Sequence, residues 1–295
     1  MFASALATAL TALAALTLAA SSGWAQNVSM TSLLAADRAA AERSLRDGAA
    51  PALMAVLAAD GAILWPGAPV LAGTDGARRL HSMIRLDSAA LTWEPLGAEL
   101  SADSTLGMTW GVSMRVPLGR ASGRFPVGGR YLAGWRRGPA RWELVAVAFT
   151  GGAAPAADPP NGVPLQLPPL PAAGLAGRFV AADLAFAALA ADSGAALAFE
   201  RWAAPNAVLP GSLLAIGPAA IAAAIGSGAP ASWRWHPVLA WGSPSGDFGF
   251  TVGEATITPA SGSTAYSKYL TVWRRLADGS IRYISDGGNP RPAPP

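Results

Sequence analysis

Ionisable side chains inside apolar segments are the first candidates for chemistry in this chain. Asp183 stands in the segment VAADLAFAALA, where its neighbours are Ala, Phe and Leu. Burial of an unpaired carboxylate is costly, and it raises the pKa toward the range in which a general base works. A first-turn acid favoured by the helix dipole, or one that caps a loop, is the alternative. We therefore predict Asp183 as a catalytic base and keep the structural role open.

His236 and Tyr269 are the other candidates for proton transfer. His236 lies in the segment SWRWHP, and an imidazole there would titrate near neutral pH. It could instead be a histidine at the start of a strand, bonded to a carbonyl. Tyr269 could donate a hydrogen bond to a ligand oxygen, or it could be a core tyrosine with a satisfied hydroxyl. Both residues join Asp183 in the predicted catalytic set.

Aromatic side chains near these candidates predict a site for a flat apolar ligand, although core packing would also explain them. The predicted ligand-binding residues combine four aromatic residues of the second half of the chain with an acid and a tyrosine of the first half: Phe186, Trp202, Trp233, Trp235, Asp37 and Tyr131.

Several classes of site are excluded by residue counts and spacing. The chain has no cysteine, and its two histidines, His81 and His236, stand in unrelated positions. No HxH, HxxxH or acidic cluster has the spacing of metal ligands. Phosphate loops, dinucleotide fingerprints and serine nucleophile elbows are also absent. We therefore predict neither a metal nor a cofactor.

A repeated phrase indicates which elements position the candidates. Tyr-Leu-x-x-Trp-Arg-Arg occurs in GRYLAGWRR (129–137) and again in SKYLTVWRR (267–275). Asp37 and Asp183 also align, as do a Trp-x-Pro and a Gly-x-Thr-x-Gly segment in each half. The offset falls steadily from 146 residues at the aspartates to 138 at the phrase. Changes in loop length produce such a drift, so the sequence predicts a tandem duplication.

Each copy begins with alanine-rich segments and ends with alternating ones. Helices followed by antiparallel strands indicate an α+β fold. Glycines at 48 and 194 suit helix ends, since a left-handed residue often follows the last turn. The predicted long helices are 32–48 and 51–60 in the first copy and 177–194 and 195–204 in the second, each followed by a short helix after Gly73 or Gly217.

The strand that carries the repeated phrase has apolar residues on both faces. Tyr269 and Trp273 point one way, whereas Leu270 and Val272 point the other. A sheet with one face in water would not show this pattern. We therefore expect the concave face to pack on the helices of its own copy and the convex face to meet the other copy, as an intramolecular pseudo-dimer.

The order of these landmarks resembles the SnoaL-like branch of the nuclear-transport-factor-2-like superfamily. The resemblance implies two tandem cone-shaped repeats, each a curved antiparallel sheet packed on N-terminal helices, often with a pocket at the wide end. The superfamily includes isomerases, dehydratases, cyclases, epoxide hydrolases and members without known activity, so the resemblance leaves the activity open. The residues that carry it are Asp183, Gly194, Gly217, WHP (235–237), SGDFGFTVG (245–253), YLTVWRR (269–275) and DGGNP (286–290).

The ends of the repeats follow from composition. Residues 1–25 are uncharged, rich in Ala and Leu, and finish on small residues, which predicts a signal peptide cleaved after Ala25. An uncleaved membrane anchor is the alternative. The first repeat is predicted to span 27–152 and the second 175–291, with a proline-rich linker at 153–174 between them. The signal peptide predicts a periplasmic or secreted protein.

Charge and hydropathy restrict the partners. Charged residues make up 13% of the chain and the net charge is +3, without a basic stripe for nucleic acid. No segment after the signal peptide is expected to span a membrane. The predicted function is binding of a small apolar or amphipathic molecule in a cone. A proton-transfer isomerase, dehydratase or cyclase and a structural or partner-binding module with filled cones are the alternatives.

Overall fold

The structure, a computed structural model, describes residues 29–83, 89–117, 127–150, 167, 169–171, 173–226, 232–260 and 262–294. The predicted signal peptide and most of the predicted linker lie outside the described residues. Their bounds, and the domain boundaries that depend on them, stay predictions.

The described residues of the first repeat form three helices and six strands. One sheet joins all six strands in the order β2-β1-β6-β5-β4-β3. The elements are α1 (29–47), α2 (Ala49–Val56), β1 (Leu57–Leu64), β2 (Leu71–Ala72), α3 (Gly73–Met83), β3 (Ala89–Leu100), β4 (Leu106–Pro117), β5 (Val127–Arg137) and β6 (Trp142–Thr150).

The second repeat has the same order of elements and the equivalent sheet, β8-β7-β12-β11-β10-β9. The duplication and the α+β fold class are thereby confirmed. The elements are α4 (Gly174–Ser193), α5 (Ala195–Trp202), β7 (Ala203–Pro210), β8 (Leu214–Ile216), α6 (Pro218–Gly226), β9 (Ser232–Gly242), β10 (Phe248–Thr258), β11 (Ala265–Arg275) and β12 (Ile281–Pro290).

The first strand of each repeat makes the sheet mixed. β1 runs parallel to β6, and β7 runs parallel to β12, whereas the remaining pairs are antiparallel. The predicted helix 51–60 is therefore wrong at its end, because α2 stops at Val56 and the strand begins at Leu57. Alanine favours a helix there, but pairing with β6 overrides that local preference.

The predicted helix stops at Gly48 and Gly194 are confirmed. The two glycines have φ values of 90° and 91°, a region that strains other residues. Their amides donate to the carbonyls of Ser44 and Ala190. Each glycine lets a short second helix start at once, at an angle to the first.

The 20-residue helix α4 corrects one expectation. By length and composition alone it is apolar enough to cross a membrane, which we did not expect of any segment after the signal peptide. In the structure one face of this helix is buried, including Phe179, Asp183 and Phe186, and the helix packs on β9 and β10. The same apolar character is what a helix inside the concave side of a sheet requires.

The two sheets contact each other on their convex faces. A Cβ atom on Gly134 of β5 would lie 2.9 Å from the ring of Phe250 on β10. Asn289 of β12 donates to the carbonyl of Leu64 at 2.7 Å and to that of Phe149 at 3.0 Å. Buried side chains of both repeats thus pack into one continuous cluster.

The β3–β4 and β9–β10 turns bind each other reciprocally. The Ala102 amide donates to Asp247, and the Ser245 amide donates to Asp103 at 2.7 Å. Partial burial raises the pKa of Asp103, but hydrogen bonds from Ser101 and Thr105, together with the Ser245 amide, hold it well below its usual range. Such paired exchange is what two related hairpins make when they meet across an approximate two-fold axis.

Candidate functional site

Asp183 is the centre of a buried hydrogen-bonding network in the second repeat. Its carboxylate accepts from the hydroxyl of Tyr269 at 2.9 Å and from the indole of Trp235 at 3.0 Å. The Thr251 hydroxyl lies within hydrogen-bonding reach as a third donor. Burial raises the pKa of Asp183 to about 6, against the lowering effect of these donors. The network joins α4 to strands β9, β10 and β11.

The first repeat builds the same network around Asp37. Its carboxylate accepts from Tyr131 at 2.6 Å and from Trp93 at 2.7 Å. Thr109 is again the third group, and burial again raises the pKa of the acid. Aspartate, tyrosine, tryptophan and threonine therefore occupy equivalent places in both repeats. The duplication has kept the whole network and not only single residues.

The Gly-x-Thr-x-Gly segment of β10 makes space for this network. A Cβ atom on Gly253 would lie 2.2 Å from the ring and hydroxyl of Tyr269, and one on Gly249 would lie 2.2 Å from the ring of Phe179. Thr251, between the two glycines, accepts from the indole of Trp273 at 2.8 Å. The glycines thus leave room for the rings of Tyr269 and Phe179.

The second repeat contains an open cavity beside the network. Its volume is about 370 Å³, and its wall is largely aromatic and aliphatic. Tyr269 and Asp286 supply polar atoms to that wall, and Thr150 of the first repeat completes one side. The apolar residues that line it include Phe186, Phe199, Leu209, Ile225, Trp233 and Trp235.

The equivalent space in the first repeat is filled by two aromatic rings. Trp65 and Phe149 meet edge to face with their centroids 5.5 Å apart. The described residues around Asp37, which include Trp93 and Tyr131, leave no room for a water-sized molecule. In the second repeat the turn Leu-Pro-Gly replaces Trp-Pro-Gly, so Leu209 stands where Trp65 does. Strand register places Gly288 opposite Tyr269, as it places Phe149 opposite Tyr131. Two smaller residues therefore open the second cone.

Asp286 is a wall residue that the sequence analysis did not single out. It is 9% exposed, and one of its oxygens accepts from Thr271 at 2.5 Å. Burial raises the pKa of Asp286 to about 7, and the negative charge of Asp183 adds to this effect. The signal for it was an acid paired with Thr271 on the face that carries Tyr269. The sequence showed the segment DGGNP only as part of the family resemblance.

Lys268 is a second residue that sequence reasoning missed. It is fully buried and donates to Asn289 at 2.5 Å and to the carbonyl of Pro290 at 2.9 Å. Burial lowers the pKa of Lys268 to about 7, and the nearby positive charge of Arg291 lowers it further, against the opposing effect of Glu254. Its position on the apolar face with Leu270 was the available signal.

The structure brings together only part of the predicted catalytic set. Asp183 and Tyr269 are directly bonded, but His236 is exposed, because it follows Trp235 and strand alternation turns it to the opposite side of β9. The proton of Tyr269 is committed to Asp183, so this hydroxyl is not a free donor for a ligand. Asp183 itself is not among the residues of the cavity wall.

The predicted ligand-binding residues divide in the same way. Phe186, Trp233 and Trp235 line the cavity. Trp202 packs behind them, with its ring edge to face on Trp273 at 5.9 Å. The first-repeat residues Asp37 and Tyr131 lie in the filled cone. Within the part of the chain that the structure describes, no group of three His, Asp or Glu residues is placed to hold a metal ion.

No family model matches the chain, and no curated protein matches it. Solved structures do. A ketosteroid isomerase-like protein from Erwinia carotovora atroseptica is 19% identical, with a TM-score of 0.33 over 41% of this chain and 97% of its own. An NTF2-like protein with a cystatin-like fold from Novosphingobium aromaticivorans is 20% identical, with a TM-score of 0.31 over 38% of this chain and 79% of its own.

Each repeat has a nuclear-transport-factor-2-like fold. Its basis is the architecture described above, with three helices, a curved six-stranded sheet and the strand order that both repeats share. The similarity is one of fold, and it assigns no activity to this chain.

Proposed function

We propose that the second repeat binds a small, largely apolar molecule inside its cone. The observation that carries the proposal is the cavity of about 370 Å³, enclosed by aromatic and aliphatic side chains with few polar groups. Ligand sites of proteins commonly measure about 300–1,000 Å³ and have walls of this kind. Because the second cone is open and the first is filled, we assign ligand binding to the second repeat alone.

The duplicated network supports binding over catalysis by Asp183. A catalytic base needs access to substrate, but the same carboxylate network surrounds Asp37, where the described residues leave no room for a water-sized molecule. A group that both repeats keep, with or without a cavity, fits a structural role. It fixes the first helix to the sheet and so sets the shape of each cone.

The first repeat has a supporting role in this proposal. Thr150 contributes to the cavity wall, and its hydroxyl donates to the carbonyl of Pro210. Asn289, next to the wall residue Gly288, is bonded to Leu64 and Phe149 of the first repeat. We propose that the two repeats act as an intramolecular pseudo-dimer whose filled half stabilises the open half, in an exported protein that binds no nucleic acid.

A proton-transfer enzyme is the second candidate, and Asp286 is the observation that favours it. A carboxyl group in the cavity wall with a pKa near 7 has the acidity of a general acid or base at neutral pH. If the protein is such an enzyme, Asp286, and not His236, would exchange a proton with the substrate of an isomerase or dehydratase.

Native mass spectrometry of the full-length protein, purified from the periplasm of its own host, tests the proposal. We expect a small molecule to travel with the protein. A Leu209→Trp variant, which copies the residue of the filled cone, should lose it. The matched control is Leu213→Trp, since Leu213 is 77% exposed and outside the cavity wall.

Two results would overturn the proposal. One is a protein that carries no small molecule and binds none from an extract of that periplasm. The other is a bound molecule that Leu209→Trp retains as fully as the control variant, because it would then occupy another site. Turnover of the molecule during the experiment would favour the enzyme instead.

A further inference from the structure

We propose that the ligand of the second cone carries one basic nitrogen on an apolar body, and that the carboxylate of Asp286 binds this nitrogen. The inference rests on the proposed function, because it uses the same cavity. It adds the chemical class of the ligand and the residue that selects it.

Asp286 is a buried acid without a basic partner. Its carboxylate accepts from Thr271, and none of the ion pairs among the described residues includes it. The residue is 9% exposed and belongs to the cavity wall, so it adjoins the space that a ligand would fill. A buried carboxylate is stable only when it is paired or well hydrogen-bonded, and a ligand cation would supply the missing partner.

Lys268 does not meet this need, although it is also a wall residue. Its ammonium group is held by Asn289 and the carbonyl of Pro290, and Asn289 is in turn bonded to the first repeat. Its charge has no resolved effect on the pKa of Asp286, whose perturbing groups are Thr271 and Asp183. Among the described residues, the cavity therefore offers an acid that forms no ion pair with a base.

The aromatic part of the wall suits a cation as well. Phe186 packs edge to face on Phe199 and on Trp235, with centroids 4.8 and 4.7 Å away, and Trp233 packs on Trp235. The face of an aromatic ring attracts an ammonium group, most strongly where water is excluded. Apolar walls would hold the body of the ligand, while Asp286 and neighbouring ring faces would hold its nitrogen.

A neutral ligand with an oxygen acceptor would require Asp286 in the opposite protonation state. Tyr269 gives its proton to Asp183, so Asp286 could serve such a ligand only in its protonated form. The two ligand classes therefore predict opposite responses to pH. An amine needs the ionised carboxylate, whereas an oxygen acceptor needs the neutral acid.

The groups that face Asp286 determine the pH range in which amine and oxygen-acceptor ligands should differ. They are Asp183 on α4, Tyr269 and Thr271 on β11, and Tyr283 on β12. None of them is cationic, and burial with the charge of Asp183 raises the pKa of Asp286 to about 7. Amine affinity should therefore rise as pH increases through about 7 and level off until the amine itself loses its proton.

Calorimetric titration of the full-length protein with matched probes tests the inference. The pairs are tryptamine against tryptophol and benzylamine against benzyl alcohol, which differ only in nitrogen or oxygen. At pH 8 each amine should bind about tenfold or more tightly than its alcohol, the effect expected of a hydrogen bond to a charged group. Asp286→Asn should remove this preference, whereas the exposed-acid control Asp278→Asn should keep it.

Every outcome decides the inference. Amine affinity that falls between pH 6 and 8, alcohols that bind as well as amines, or no amine binding at all would overturn it. If alcohols bind and Leu209→Trp blocks them, the proposed function survives that result. The pH response of the unmodified protein gives an answer even where Asp286→Asn fails to fold.

Discussion

The hydroxyl of Tyr269 donates to the buried carboxylate of Asp183 at 2.9 Å, across 86 positions of the chain. Tyr131 makes the same bond to Asp37 at 2.6 Å. In each repeat this bond fixes the first helix against the sheet. Among the described residues, the network of Asp183 adjoins a cavity and that of Asp37 does not, so the bond is a property of the fold and the cavity is a property of the second repeat.

Asp183→Asn and Asp37→Asn should both destabilise the protein. An amide presents a donor where two or three donors need an acceptor, so at least one buried group loses its partner. We expect the free energy of unfolding to fall by about 1–3 kcal/mol for each variant, measured by urea denaturation. Should Asp183→Asn abolish a turnover while ligand affinity persists, Asp183 would be the base and the structural interpretation would be wrong.

Gly253→Ala should disturb the site through Tyr269. The new Cβ atom would lie 2.2 Å from the tyrosine ring, so the ring has to move and its bond to Asp183 weakens. A loss of about 1–3 kcal/mol in stability is expected, together with weaker ligand binding. Gly128→Ala is the control, because a Cβ atom there meets nothing within 4 Å. Equal effects of the two substitutions would contradict the steric explanation.

The raised pKa of Asp286 predicts a stability that declines with pH. The folded protein holds this proton up to about pH 7, whereas the unfolded chain releases it near the ordinary aspartate pKa of 3.8. The contribution is therefore fully present below about pH 4 and lost as pH rises to about 7. Asp286→Asn should gain stability relative to the unmodified protein from pH 4 to 8, on thermal denaturation. A constant difference across that range would show that the pKa is not raised.

Asn289→Ala should loosen the junction between the repeats. Its amide donates to two carbonyls of the first repeat, Leu64 and Phe149, and both would lose a buried donor. We expect a loss of about 1–3 kcal/mol and a broader unfolding transition in calorimetry, as the two repeats begin to unfold separately. The exposed Asn206→Ala on β7 should leave the transition sharp. A sharp transition in both variants would show that the junction depends on other contacts.

Much of the fold follows from local sequence patterns. The repeated Tyr-Leu-x-x-Trp-Arg-Arg phrase predicts the duplication, and the glycines after each first helix predict its end. The end of the second helix was not predictable, because the start of strand Leu57–Leu64 pairs with β6, whose residues lie about 85 positions away. Local propensity carries no information on a pairing at that distance.

The candidate site was predictable only in part. Asp183 and Tyr269 stood out as polar groups in apolar segments, and both belong to one network. Asp286 did not stand out, because its significance comes from the cavity wall it shares with Phe186 and Trp235 and from having no ion pair among the described residues. His236 looked equally promising, but one step along a strand turned it away from the network.

The sequence by itself determined the duplication, the order of elements and the polar groups that each repeat keeps, because these depend on periodicity and on residue types repeated in register. Only the tertiary structure decided that one cone is filled and the other open. That difference comes from the volumes of residues far apart in the chain, Trp65 with Phe149 against Leu209 with Gly288, which meet only when strands from both ends of a repeat pair.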